Sequence, residues 1–411
     1  MLVADSPLHY YRAISGWPGY LDPDPRDATD RAVYRGSVEH RSLPWISQAV
    51  AGADVNQQGQ EGRMMVKPTR WRVMALSTTL IAVIAMSAVA ASSYASGAAG
   101  PKKGLKLAFF SVGGNNTYLL SGIKGAKDAA AKYGASIKVY DGKFDGGLQL
   151  NQVMGAIAQK GFDGIVLEPN NSQQLCSAVK AALKAKLVVG ITNVPACTAA
   201  YEKPYPGTAI FVGGQGPTAY KQWLTEGFKS NPAGGEFAVL VGPITQGNSV
   251  RAKEVLAQVN PKYPKWKQVA FFPTEYQASV ALTKTQNILQ SHPDLKLLFS
   301  NYAGQTPGAI SAIKAAGKTG QVKIYDLGGD KTMFKAVKAG TVASTEVYLP
   351  YEEQYHAVQA VVAQLSGLKK LDGVTVGQFW DLTKDPKLKG LSPFVTKANI
   401  AKYTAIGLPE Y

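Results

Sequence analysis

From residue 105 onward the apolar positions follow two alternating rhythms. LKLAFFSV (105–112) is a near-continuous apolar run of strand length, and from 117 to 133 Leu120, Ile123 and Ala126 recur at helical spacing. The pair then repeats. SIKVYD (136–141) precedes a helical pattern over 148–160, GIVLEP (164–169) precedes one over 172–184, and LVVGITN (187–193) follows. Short buried strands separated by long amphipathic helices predict βαβ crossovers and a parallel sheet covered on both faces.

After AIFVGG (209–214) the rhythm restarts. A helix over 217–229 leads to FAVLVG, a helix over 250–259, QVAFF, a helix over 278–290, LKLLFSN, a helix over 307–316 and VKIYDLGG. Two doubly wound α/β units in sequence are expected, with Gly213 and Gly214 as a hinge between them. TVASTEVYLP, a helix over 352–365 and VGQFWDL leave too little chain for a third core. They must complete the two lobes, so the chain crosses between them more than once. The expected division is 104–213 completed by about 349–375, and 214–348 completed by about 376–411. Ligands of open parallel sheets sit at the carboxyl ends of the strands, which here would face a shared cleft.

The region upstream has a different character. Lys67, Arg70 and Arg72 precede an uncharged, mostly apolar run over 75–91, and Val89-Ala90-Ala91 or Ser93-Tyr94-Ala95 offers a small-residue cleavage site. This predicts a signal peptide over 64–95, cleaved near Ala95, and a periplasmic protein. The rival reading is a membrane anchor, although the run is short for a span and rich in Ala, Ser and Thr. No cysteine lies near the cleavage region to carry a lipid. Six of the nine arginines precede Met64, whereas every lysine lies at Lys67 or later. One coding sequence rarely switches bias so completely, so 1–63 reads as a disordered extension ahead of a true start at Met64 or Met65. A cytoplasmic tail before an anchor is the alternative.

The formal net charge of +16 suggests a nucleic-acid partner only until the lysines are placed: they are spread over helix faces such as Lys124, Lys127 and Lys132, with no dense block. A solvated surface and no nucleic acid are expected. Cys176 and Cys197 are the only cysteines, and both lie beside carboxyl ends of expected strands, so an exported chain would pair them. There is no HExxH, CxxC, GxSxG or GxxxxGK[ST] pattern. Neither a metal, a cofactor nor an enzymatic constellation is expected.

Several patches in order carry a resemblance: AFFSVGGNNTYLLSGIKGA, GFDGIVLEPNNSQQL, VRAKEV, LFSNYAGQTPGAISAIKAAGK, FKAVKAGTVASTEVYLP and VTKANI. Over 104–411 the chain resembles the periplasmic sugar-binding proteins of ABC transporters, the type I fold that includes ribose-binding protein. The resemblance implies a non-enzymatic protein whose two lobes close over a small polar ligand and hand it to a membrane permease. Matching positions give Asn116 and Tyr118 after the first strand, Tyr276 after the seventh and Asn301 after the eighth, with Asp326 or Asp330 after the next. Tyr118 and Tyr276 would pack on the C–H faces of a sugar ring. Arg251, the only arginine beyond Arg72, falls where ribose-type proteins grip ligand hydroxyls, and its rigid fork suits that task.

Two departures stand out. The family's Asp-Arg pair after the fourth strand aligns with Thr192 and Asn193, and its hinge Gln with Tyr348. These swaps should alter which ligand binds. The expectation is therefore a monomeric substrate-binding protein for a monosaccharide, polyol or similar small polyhydroxylated ligand, partnered by ABC permease subunits. The alternatives are presentation of such a ligand to a chemoreceptor or sensor kinase, or binding of a non-sugar small polar ligand. A lactose-repressor-type regulator would need a helix-turn-helix where the signal stands, and a Rossmann-type enzyme would need a G-x-G-x-x-G after the first strand.

Overall fold

The computed structural model describes residues 100–197 and 201–411. The expected extension over 1–63 and signal peptide over 64–95 lie outside the described residues. The first sheet is built from β1 (Lys106–Ser111), β2 (Ser136–Asp141), β3 (Gly164–Leu167), β4 (Val188–Thr192) and β5 (Ile210–Gly213). The second uses β6 (Gly235–Val241), β7 (Trp266–Pro273), β8 (Leu295–Ser300), β9 (Lys323–Leu327) and β10 (Ser344–Glu346). A small hairpin, β11 (Lys370–Leu371) and β12 (Val374–Thr375), precedes β13 (Gln378–Asp381) and β14 (Phe394–Thr396). The orders are β13-β5-β4-β3-β1-β2 and β14-β10-β9-β8-β6-β7. Every pairing in these two sheets is parallel except that of β14 with β10.

Each sheet is buried on both faces, which is why its strands read as apolar runs. Along β1, Leu107 and Phe109 point to one core with Val166, Ile210 and Val212. Ala108 and Phe110 point to the other with Ile165, Leu167, Val189 and Ile191. The first lobe is covered by α1 (Thr117–Lys132), α2 (Gly146–Gln159), α3 (Cys176–Lys184) and the returning α9 (Pro350–Leu365). The second is covered by α4 (Pro217–Lys229), α5 (Gly247–Val259), α6 (Ala278–Ser291), α7 (Thr306–Ala315) and α8 (Lys331–Ala339), with the short α10 (Ile400–Thr404) near the end. Starts follow local chemistry: Asn116 and Asp145 cap the free N–H groups of α1 and α2, and Pro217 and Pro350 open α4 and α9. Among the described helices none is long and apolar enough to cross a membrane.

The chain passes between lobes three times: after β5, after β10, and between β13 and β14. The third crossing lies later than the expected division at about 375. QFWD pairs in parallel with Ile210–Gly213 and covers the edge of the first sheet, so residues 378–381 complete the first lobe. Only the chain from β14 onward returns to the second sheet. Helix α3 begins at Cys176, later than the expected 172, because Asn171 caps a turn by accepting from Gln173 N and Gln174 N at 3.0 Å each. Cys176 and Cys197 are disulfide-bonded, with Cα atoms 4.4 Å apart. The bond joins the start of α3 to the loop after β4.

Helices α1 and α9 approach so closely that Gly125 leaves no room for a side chain. A Cβ there would stand 2.1 Å from the carbonyl oxygen of Tyr351. Gly125→Ala should destabilise the protein by about 1–3 kcal/mol through this overpacking, despite the better helix propensity of Ala. A melting temperature equal to or above that of the parent would show that the helices can part without penalty.

Candidate functional site: a cleft at the carboxyl ends of both sheets

The loops that follow the strands of both lobes enclose a cavity of about 70 Å³. One water needs roughly 10–15 Å³ on this measure, so the space suits one small molecule and not an oligosaccharide. Of the sequence-derived candidates, the structure brings Asn116, Tyr118, Asn193, Tyr276, Asn301 and Tyr348 together in its wall.

Each is fixed by a local cause. Asn116 caps α1, its Oδ1 accepting from Leu119 N at 2.9 Å, which leaves the amide NH2 as its free group. The Tyr118 phenol donates to Glu353 Oε2 at 2.7 Å and accepts from Asn193 Nδ2 at 2.8 Å. Its hydroxyl is thus occupied, and the ring is what it offers the cavity. Asn193 sits in the left-handed region at φ 63°, a conformation Asn tolerates better than most residues. Tyr276 lies against Gly242, where a Cβ would stand 2.0 Å from its ring. Asn301 follows β8 and is held by Gln305, whose Nε2 donates to its Oδ1 at 3.3 Å. The Asn301 NH2 is buried without a protein partner, and so is the Tyr348 hydroxyl.

Three candidates stand elsewhere. Asp326 lies behind the wall, accepting from Thr306 Oγ1 at 2.5 Å and Thr345 Oγ1 at 2.6 Å. Burial pushes its carboxyl up to about 7. Through Thr306 and Ser300 this network reaches Gln305 and supports Asn301 at one remove. Asp330 caps α8 by accepting from Met333 N at 2.8 Å. Arg251 does not line the cavity. Its guanidinium lies 3.7 Å over the ring of Tyr201 and pairs through Nη1 with Glu254 Oε2 at 2.7 Å. Register explains the outcome: Gly247 and Asn248, at the start of α5, reach the cavity, whereas Arg251 is one helical turn further on.

Sequence reasoning missed several wall residues. Gln246 and Asn248 open α5, Asn170 follows β3, Gln215 lies in the first crossing, and Phe144 and Tyr302 follow β2 and β8. All obey the rule that ligands meet strand carboxyl ends, and that rule applied loop by loop would have found them. The two lobes are in contact across the cavity. Asn248 Nδ2 donates to Asn193 Oδ1 at 3.2 Å, and Phe144 and Tyr276 bring ring centroids within 6.4 Å. The structure is a closed form.

Glu168 also lines the wall. Its Oε2 accepts from Ser111 Oγ at 3.0 Å and Val112 N at 3.4 Å. Burial outweighs these bonds and pushes the carboxyl up to about 7. Among the described residues no group of His, Cys, Asp and Glu is arranged to hold a metal ion.

Comparison with known proteins agrees with this architecture. Residues 107–369 match the periplasmic binding protein domain, and the chain belongs to that family. Similar proteins include the D-allose-binding periplasmic protein of Escherichia coli K12, 24% identical over 284 residues that span 67% of this chain and 86% of that protein. The ribose import binding protein of Salmonella typhimurium is 26% identical over 285 residues, 69% of this chain and 92% of that protein. An ABC transporter solute-binding protein from Agrobacterium vitis with bound D-fucose has a TM-score of 0.62 at 23% identity, covering 73% of this chain and 98% of that one. One from Bacillus halodurans with bound myo-inositol has a TM-score of 0.62 at 19% identity, covering 74% and 99%. The two sheets are those of the type I periplasmic binding protein fold.

The raised Glu168 value has a consequence for stability. The unfolded carboxyl releases its proton near 4.5, whereas the folded one keeps it until about 7. The folded state then binds more protons over that window, so stability falls as pH rises through it and the full penalty applies above it. Glu168→Gln keeps an acceptor for Ser111 and Val112 and removes the titration. It should gain on the order of 2 kcal/mol over the parent at pH 8 and little at pH 4.5. A melting difference that is the same at both pH values would show that Glu168 is not held protonated.

Proposed function

We propose that the exported chain captures one small, neutral polyhydroxylated molecule, a monosaccharide or polyol, by closure of the two lobes and delivers it to an ABC permease. It binds its ligand and does not turn it over. One observation carries this reading: the wall combines aromatic faces with amide groups that have no partner in the protein. The NH2 groups of Asn170, Gln246 and Asn301 and the Oδ1 of Asn248 are buried and unpaired. A buried polar group left unsatisfied costs about 1–3 kcal/mol, so this set favours a ligand that both accepts and donates at several points. Hydroxyls do both. Phe144, Tyr276 and Tyr302 supply the apolar faces that ring C–H groups need. No Lys or Arg is among the described residues of the wall, which disfavours sugar acids and sugar phosphates. The relatives named for allose and ribose import support the same class, and the departures at Asn193 and Tyr348 favour a different member of it.

A thermal-shift panel of D-ribose, D-allose, D-fucose, L-arabinose and myo-inositol, with D-galacturonate as the charged control, tests the proposal. At least one neutral compound should raise the melting temperature in proportion to the logarithm of its concentration, and the acid should not. A shift from the acid alone would overturn the reading.

We further propose that 64–95 is the export signal, cleaved near Ala95, and that 1–63 is dispensable. The charged start, apolar run and small-residue sites support this. A chain begun at Met65 should reach the periplasm and be trimmed near Ala95. Retention of that chain in the cytoplasm, with export of the longer one, would rule it out.

A further inference from the structure

The closed lobes touch at a second place, outside the cavity. Tyr201 lies in the segment between β4 and β5 and so belongs to the first lobe, whereas Arg251 lies on α5 of the second. The guanidinium carbon stands 3.7 Å from the centroid of the Tyr201 ring, a distance at which the planar cation rests on the aromatic face. Glu254 accepts from Nη1 at 2.7 Å and sets the orientation of the fork. The Arg251 side chain is only 17% exposed, and its Nε is buried without a partner. The neighbouring residue adds a second tie between lobes, since Glu202 Oε1 accepts from Thr218 Oγ1 of α4 at 2.8 Å.

The first-lobe side of this contact is anchored. Cys197, four residues ahead of Tyr201, is bonded to Cys176 at the head of α3, and its N–H donates to Ser172 O at 2.9 Å. Beyond Tyr201, the side chain of Tyr205 packs against the core of the first lobe, and its carbonyl accepts from Thr208 Oγ1 at 2.7 Å. Tyr201 therefore moves with the first lobe and Arg251 with the second. Neither residue lines the cavity.

From this geometry we infer that Arg251 and Tyr201 form a latch between the lobes, which sets how long the closed state lasts without choosing the ligand. The inference rests on the hinge-closure part of the proposed function. It also accounts for the sole arginine beyond Arg72. A lysine carries the charge but has no flat face to lie on the ring, and its compact ammonium holds water more strongly. These are positioning residues: they act on lobe closure, and ligand recognition stays with the amides and aromatics of the wall.

Single-molecule energy transfer between dyes on the two lobes, attached by non-cysteine chemistry and measured without any sugar, tests the latch. Arg251→Lys and Tyr201→Leu should each shorten the closed dwell time about 3-fold to 10-fold. The double variant should lose no more than either single one, because both changes break the same contact. Tyr201→Phe keeps the ring and should behave as the parent, and melting temperatures should hardly move. If Tyr201→Leu folds poorly, Arg251→Lys, which keeps the charge and most of the aliphatic stem, decides alone. Closed dwell times equal to those of the parent, or losses that add in the double variant, would overturn the latch. Because no sugar is present, failure of the sugar reading appears only in the thermal-shift panel and leaves this outcome distinguishable.

Discussion

The phenol of Tyr118 is the point on which the cleft depends. Its hydroxyl donates to Glu353 on α9 and accepts from Asn193 after β4, and Gln215 in the first crossing approaches it at 3.4 Å. Four separate stretches of chain are thereby fixed around one oxygen. Asn193 Oδ1 in turn accepts from Asn248 Nδ2 of the other lobe. One buried chain of hydrogen bonds runs from the floor of the first lobe to the head of α5. The ring of Tyr118 also meets the rings of Tyr348 and Tyr411 edge-on, at centroid distances of 6.2 and 5.7 Å. Hydroxyl, ring and amide are all committed, so the wall facing the ligand is preorganised and little ordering remains to oppose binding.

Around the cleft, burial disfavours the charged form of several carboxyl groups. Glu353 is held well above the ordinary carboxylate range, first by burial and then by Glu168. Glu346, buried on β10 beside the second crossing, is raised well above it by burial and by Asp381. Ionised, such groups would need cationic partners, and the wall contains none among its described residues. Protonated, Glu353 remains a neutral hydrogen-bonding partner of Tyr118, and the cavity keeps the even polarity that a hydroxylated ligand needs.

Much of this fold is legible in the chain because the central strands are buried on both faces and the long helices are amphipathic, so the two rhythms do not blur. The strands near 105–112, 136–141 and 295–301 fall where the apolar runs place them. What local pattern does not carry is allegiance. QFWD reads as a strand, but which lobe it joins is decided by an open edge beside Ile210–Gly213, a fact of long-range pairing. The short β14 and α10 carry too few apolar positions to stand out from loop. In the site, residues that follow strands, such as Asn193 and Asn301, are readable from position. Gln215, Gln246 and Asn248 follow β5 and β6 in the same way, but only a loop-by-loop use of that rule picks them out, since no local pattern marks them.

Arg251 shows the limit most clearly. Its rarity marks it as special, and its place in the second lobe marks it as near the cleft; both inferences agree with its contact across the lobes. The role does not follow from either. Asn248 and Arg251, three residues apart on α5, face within about 60° of each other, while the axis advances about 4.5 Å between them. That displacement moves the guanidinium off the wall and onto Tyr201. On the proposed reading, recognition and closure are carried by different side chains, separated by about one turn of one helix. A protein built this way can change its ligand by exchanging amides such as Asn248 and Asn301 while the contact that holds the lobes together stays as it is.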